Sequence, residues 1–246
     1  MGSTWGKHEQ LDGGVLGDGL PSLIAAAHEL KSPLALVRQL SLMLEAGDIS
    51  DTEKQRMLRQ ISLTSERALR LTSDLTRSAR LDDALFELEP INPQELCKDI
   101  VHELRPLFAA HGRDVQLVPH KHPLLLVANR DLLRRIIMNF SDNALHYADA
   151  RGIVEIQIHA LQAGKIIRLG VRDYGPAVSS DMWRSLKEKL TMAPQSVHAR
   201  PESSGLGLYI ASQFADAMNG EIGVTRHRDG ATFYVDLSAS LQMSLL

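Results

Sequence analysis

Apolar or small residues at Leu23, Ala27, Leu30, Leu34, Val37, Ser41 and Leu44 constrain the fold of this chain more than any other feature. Their alternating steps of four and three lay one continuous stripe along a helix, the seam of a bundle. The spacing predicts a helix from about Pro21 to Ala46, with Gly47 suited to its C-terminal cap. Ser50 or Asp51 offers an N-cap for a second helix running to about Leu81, with Met57, Ile61, Thr64, Ala68, Leu71 and Leu75 at bundle spacing. Two long helices joined by a short loop make an antiparallel hairpin. A lone hairpin cannot bury its stripe on both sides. A second copy pairing into a four-helix bundle is therefore expected.

His28 sits beside the seam, so its ring is expected to face water. Glu29 can accept the proton of one ring nitrogen and leave the other as a nucleophile. Ser32 lies one turn on, over the same face. Pro33 cannot donate to the carbonyl of Glu29 and predicts a kink just below the histidine. The stretch Ala27-His28-Glu29-Leu30-Lys31-Ser32-Pro33-Leu34 resembles the phosphoacceptor box of sensor histidine kinases, His-Glu-x-Arg/Lys-Thr/Ser-Pro-Leu.

At 246 residues the chain is long enough for one large domain or two modest ones. A net charge of −3 argues against an extended nucleic-acid surface, so no nucleic-acid partner is expected. The Arg130, Arg134 and Arg135 cluster reads as the solvated face of a helix. One cysteine, Cys97, rules out an intrachain disulfide and suits a reducing cytosol. The longest apolar runs, such as 124–128, are too short to span a bilayer, so no membrane contact is expected within the chain. The expected location is cytoplasmic, as a soluble core whose parent protein can be anchored in the inner membrane.

Residues 1–19 are polar and glycine-rich and read as a flexible lead, and residues 20–82 as the hairpin. Prolines at 90 and 93 mark residues 83–92 as a hinge that brings in the first strand of a second domain, 93–240. Helical spacing is expected over Gln94–Ala110, Arg130–Tyr147 and Gly205–Asn219. Strand patterns fall at Val115–Val118, Leu124–Val127, Ile153–Ala160, Lys165–Val171, Glu221–Thr225 and Thr232–Leu237. Turns are expected at Gln162-Ala163-Gly164 and near Arg228-Asp229-Gly230. The class is α+β: a helical hairpin dimerising into a four-helix bundle, followed by an α/β sandwich.

Four motifs in the second domain resemble the ATP-binding domain shared by histidine kinases, gyrase, heat-shock chaperones and mismatch-repair ATPases. In Asn139-Phe140-Ser141-Asp142-Asn143-Ala144-Leu145-His146-Tyr147, Asn139 and Asn143 leave one helix face. The resemblance makes Asn143 the Mg²⁺-linked residue, places Tyr147 along the nucleotide, and puts His146 where Lys or Arg usually meets the phosphates. ATPase relatives have Glu at the position of Asn139 as a general base, and an amide cannot take up that proton. Phosphoryl transfer to a side chain is thereby favoured over hydrolysis. Asp173 and Gly175 lie in a stretch resembling Asp-x-Gly-x-Gly, whose second glycine is Ala177 here. The carboxylate can accept from an adenine amino group, and Gly175 lets the backbone pass close to the ring. Ser203-Ser204-Gly205-Leu206-Gly207-Leu208 resembles Gly-x-Gly-Leu-Gly-Leu, with Ser203 for the first glycine. Backbone N–H groups at such a helix start can cradle phosphate oxygens. Gly230-Ala231-Thr232-Phe233 is a glycine turn into a strand near the adenine. The segment between Gly175 and Gly205 reads as a lid over ATP, with the family's aromatic box poorly matched by residues 182–186.

Together the motifs imply ATP- and Mg²⁺-dependent phosphorylation of His28, followed by transfer to an aspartate of a response-regulator receiver domain. The family places an acidic-x-x-Thr/Asn pair at Glu29 and Ser32 to position water for dephosphorylating that regulator. Two other readings stay open: an ATPase of the wider fold group, and a dimeric scaffold, the latter supported by His146, Ala177, Ser203 and the missing aromatic box. His102, in His102-Glu103-Leu104-Arg105-Pro106, reads as the surface of a helix in the second domain. His120 and His122 do not make a metal site without a third partner.

Overall fold

A computed structural model describes residues 20–47, 49–81, 86–120, 124–147, 152–176 and 206–240. Helix α1 (Leu20–Ala46) and helix α2 (Asp51–Ser78) form the hairpin. Gly47 ends α1 at φ +78°, a left-handed conformation that suits glycine. Ser50 caps α2: its hydroxyl accepts from the Glu53 N–H at 3.3 Å, while the Glu53 carboxylate accepts from the Ser50 N–H at 3.2 Å. Each satisfies a donor the first turn would leave orphaned. Glu53's carboxyl is correspondingly held below its usual range, mainly by the Ser50 hydroxyl.

The hairpin stripe lies differently from its sequence pattern. Among the described side chains of α1, Ala26 and Leu40 are the buried ones, while Leu34, on the expected seam, is 60% exposed. Leu42 and Met43 of α1 and Leu58 and Leu69 of α2 are also open, Leu69 at 70%. The α1–α2 contact therefore covers only part of the apolar surface.

Strand β1 (Glu89–Ile91), within the stretch read as a hinge, pairs antiparallel with β3 (Leu126–Ala128). Helix α3 (Pro93–Ala110) starts on an Asn92 cap with proline at its first position, where no N–H is required. Strand β2 (Asp114–Leu117) follows it, and α4 (Arg130–Tyr147) follows β3. Strands β4 (Ile153–Leu161) and β5 (Ile166–Asp173) are joined by a short 3₁₀ turn at Gln162–Gly164. Helix α5 (Leu206–Ala217) leads to the hairpin of β6 (Glu221–His227) and β7 (Gly230–Ser238). The main sheet has the order β2-β4-β5-β7-β6, with β2 parallel to β4 and the other pairs antiparallel.

Alternate strand residues point to opposite faces. On one face Val154, Ile156, Ile167, Leu169, Val171 and Val235 join the core with Phe108, Phe140 and Phe214 of the three helices. On the other, Arg168 binds Asp236 through two bonds of 2.7 and 2.6 Å and stacks 3.5 Å from the Tyr234 ring centre. The result is a two-layer α/β sandwich beside a helical hairpin. Cys97 is fully buried in its core, and burial pushes the thiol up to about 12, so it stays protonated and unreactive.

The arginine cluster on α4 is solvated at Arg130, but all three arginines are ion-paired. Arg130 pairs with Asp99 at 3.0 Å, Arg134 with Glu103, and Arg135 with Asp74 of α2 and Asp131. Arg77–Asp131 and Arg70–Asp142, the latter at 3.7 Å, complete a row of opposite charges between α2 and α4. Residues 70, 74 and 77 lie one turn apart on α2 and run antiparallel to 142, 135 and 131 on α4. Asp74 is 5% exposed, and burial, outweighing the pull of Arg135, pushes its carboxyl above the usual range.

Candidate functional site

A cleft of about 170 Å³ opens where the hairpin meets α4 and the start of α5. Glu29 of α1, Asn139 and Asn143 of α4, and Gly207 and Leu208 of α5 line it, with Arg67 and Arg70 of α2 on the same wall. The residue following His28 thus shares one cavity with the asparagine pair and the glycine-rich helix start. Leu206 and Leu208 are buried and anchor α5, which leaves the small Gly207 at the cavity. Among the described residues, and apart from its chain neighbours and its own helix backbone, no atom lies within 4 Å of a Cβ built there, so a ligand can approach the backbone closely. Asn139 carries a buried Nδ2 with no hydrogen-bond partner among the described residues. A buried donor left unpaired costs roughly 1–3 kcal/mol, and an acceptor-rich ligand in the cleft would satisfy it.

Asp173, Gly175 and Thr232 do not line this cleft and form a second cluster at the end of β5 and the start of β7. Asp173 is 1% exposed, and its Oδ1 accepts from the N–H groups of Gly175 and Ala231, both at 3.2 Å. Thr232 is buried, with its hydroxyl 2.9 Å from Nε2 of His227. Burial first, then the Arg172 charge, holds the His227 imidazole below its ordinary range. Phe140 and Phe233, each next in sequence to a site residue, pack with ring centres 6.1 Å apart and tie the two clusters through the core.

Glu29 is half-buried and Ser32 is exposed on α1. His28 lies within α1, and His146 and Tyr147 within α4, but their side chains fall outside the described residues, as do Gly205, Ala177, Ser203 and the expected lid. Pro33 is contained within α1. Among the described residues, no three His, Cys, Asp or Glu side chains gather as a metal cluster. None of the helices among them is long and apolar enough to cross a membrane.

Residues 128–241, which hold Asn139, Asn143, Gly207 and the Asp173 cluster but not Glu29, Arg67 or Arg70, match the family described as "Histidine kinase-, DNA gyrase B-, and HSP90-like ATPase". The chain is 31% identical over 208 residues to the sensor protein kinase PmrB of Pseudomonas aeruginosa, covering 83% of this chain and 42% of that protein. These matches support a histidine kinase catalytic core. The chain spans about two fifths of the length of PmrB. Its fold is that of full-length ShkA in complex with AMPPNP, at a TM-score of 0.58, with 23% identity over 93% of this chain and 47% of that one. ThkA in complex with the response regulator TrrA superposes with a TM-score of 0.61, at 17% identity over 92% of this chain and 62% of that one.

Three features of this core are not evident from its motifs. Arg172 and Asp229 frame the Asp173 cluster, and His227 holds Thr232. Arg168 and Arg172 are the two charged residues in the otherwise apolar run 166–172, and that was the available signal for Arg172. The 70/74/77 spacing on α2 was the available signal for the ion-pair row.

Proposed function

We propose that the chain phosphorylates His28 with ATP and passes the phosphoryl group to an aspartate of a response-regulator receiver domain. The observation that carries this reading is the shared cleft: Glu29, next to the acceptor in sequence, lines it with Asn139, Asn143 and Gly207. The α5 backbone cradles the phosphates, and the orphaned Nδ2 of Asn139 gives a donor to a phosphate oxygen or bound water. Asp173 accepts from the adenine amino group. Asn143, with its amide oxygen on the same helix face, would hold Mg²⁺. When bound, that ion neutralises phosphate charge and takes most of its remaining ligands from phosphates and water. This suits a cleft where no cluster of three acidic or His side chains gathers among the described residues.

In the reaction, one ring nitrogen of His28 attacks the γ-phosphorus in line. A P–N bond forms, the P–O bond to the β-phosphate breaks, and ADP leaves with that electron pair. Glu29 accepts a hydrogen bond from the other ring nitrogen and stabilises the imidazolium that develops. Asn139 has no basic oxygen to activate water, which keeps the phosphoryl group for the histidine. The likeness to ThkA, solved with its response regulator, supports a receiver domain as the next acceptor. The open leucines of α1 and α2 support a homodimer in which a second copy covers them. Ser32, exposed one turn from Glu29, positions water when the phosphorylated regulator is dephosphorylated.

The deciding experiment is incubation with γ-labelled ATP and Mg²⁺, comparing the parent chain with His28→Gln. Acid-labile, base-stable label that vanishes in the variant is expected. Equal label in both would refute His28 as acceptor. ATP turnover unaffected by the substitution would refute the kinase reading in favour of an ATPase.

A further inference from the structure

The end of β5 and the start of β7 are clamped by one arginine. Arg172 pairs in register with Thr232 across the ladder and is followed along the chain by Asp173. It is 6% exposed, unusual for a residue of its type on the outer face of a sheet. Its Nη1 donates to the carbonyl of Asp173 and, at 3.4 Å, to that of Ala231. Its Nη2 donates to Oδ1 of Asp229 at 2.5 Å. The guanidinium lies 4.4 Å from the ring centre of Tyr174, whose hydroxyl donates to Glu155 at 3.0 Å. The planar fork thus reaches three oxygens in diverging directions, two of them in the turn that delivers Thr232. A lysine ammonium cannot match that geometry.

The clamp draws the turn in tightly. A Cβ on Gly230 would stand 2.6 Å from Oδ1 of Asp173 and 2.8 Å from Nη1 of Arg172. This closeness lets the Ala231 N–H reach Oδ1 and hold the carboxylate in one orientation. On the neighbouring strand, His227 holds the Thr232 hydroxyl.

We propose that Arg172, with Asp229, is the positioning residue for base recognition: it fixes Asp173 in the geometry that selects adenine over guanine. This rests on the reading of Asp173 as the adenine acceptor. Guanine carries a carbonyl where adenine carries its amino group, and a fixed carboxylate repels it. A carboxylate free to turn away discriminates less.

The test measures equilibrium binding of ATP and GTP, KM and kcat for label incorporation, and the thermal midpoint, in the parent, Arg172→Gln, Arg172→Lys and Asp229→Asn. In Arg172→Gln, ATP binding is expected to weaken at least tenfold and the ATP-over-GTP preference to shrink at least fivefold. The loss should fall on KM more than on kcat. Arg172→Lys should recover part of the thermal midpoint and little of the preference. Asp229 is exposed, so Asp229→Asn is expected to fold and carries the test even if Arg172→Gln does not; its preference should fall about threefold. A lowered midpoint with an unchanged ATP-to-GTP ratio in these variants would overturn the proposal and leave Arg172 as strand glue. A parent that binds ATP and GTP equally would overturn this inference alone. A parent that binds neither would overturn the ATP-site reading and this inference with it.

Discussion

Gly230→Ala should be far more damaging than the same change at another left-handed glycine, and the structure sets the scale of the difference. Gly230 has φ +125°, where an L side chain is strained, and its added Cβ would collide with the carbonyl oxygen of Asp173. That oxygen is backbone within the paired β5 strand, so it cannot swing aside. Backbone strain of about 1–3 kcal/mol adds to about 1–3 kcal/mol for overpacking, giving roughly 2–6 kcal/mol in all. Gly164 has φ +85° and nothing within 4 Å of its Cβ position. Gly164→Ala bears only the conformational cost, about 1–2 kcal/mol. For a domain of this size each kcal/mol moves the thermal midpoint by about 2–4 °C. Gly230→Ala should therefore melt several degrees below Gly164→Ala. It should also lose ATP binding, since the added Cβ also crowds Oδ1 of Asp173, the carboxylate proposed to read the base, whereas Gly164→Ala should bind ATP as the parent does. Equal midpoints and equal ATP affinity in the two variants would refute the close approach of the β6–β7 turn to Asp173.

The ion-pair row between α2 and α4 makes a second prediction. In a double-mutant cycle, Asp74→Asn and Arg135→Gln should show a coupling of about 1–2 kcal/mol, less than a fully buried pair because Arg135 keeps Asp131 at 3.3 Å. The half-exposed Arg77–Asp131 pair should couple by less than about 1 kcal/mol and vanish in high salt. The depressed His227 means the folded state binds fewer protons than the unfolded one just below pH 6.5. Its contribution is therefore fully present above that pH and is lost as pH falls towards the folded value; denaturation midpoints at stepped pH should show this slope, and His227→Gln should flatten it. Ser32→Ala should slow dephosphorylation of a phosphorylated regulator while leaving label incorporation at His28 close to the parent's, and an unchanged dephosphorylation rate would remove Ser32 from that step.

The elements were readable in the sequence wherever the evidence is local. Helix α4 runs over Arg130–Tyr147, as its spacing predicts, and the Ser50–Glu53 box starts α2 where a cap residue precedes the apolar period. The asparagine pair and the Leu206–Leu208 helix start could be placed because one helix face and one helix end decide them. Long-range pairing was not readable in this way. Arg135 looks like a surface charge until α2, 61 residues earlier, brings Asp74 against it. Arg172 sits in a strand whose alternation predicts only an outward side chain. Its burial depends on the Asp229 turn, which arrives 57 residues later. Leu34 belongs to a clear helical seam, yet the seam's period says nothing of which copy of the hairpin covers it.

The character of the α2–α4 contact fits the proposed chemistry. If the ATP-binding domain delivers phosphate to a histidine on α1 and then clears it for a regulator, its hold on the hairpin must be specific but easily released. An apolar interface of the same extent would bury surface worth about 25 cal/mol per Å² and resist separation. A row of alternating charges fixes the register, because a shift of one turn sets like charges opposite each other. Each exposed pair nonetheless contributes at most about 1 kcal/mol and exchanges readily with water. Only Asp74 is deeply buried in the row, and its carboxyl is pushed upward by that burial. A raised carboxylate means the docked state binds more protons than the released one from the ordinary aspartate range up to the raised value. Docking should therefore weaken as pH rises through that window and level off above it. Asp74→Asn should abolish that dependence, and a dependence that persisted in the variant would place the titrating group elsewhere in the interface.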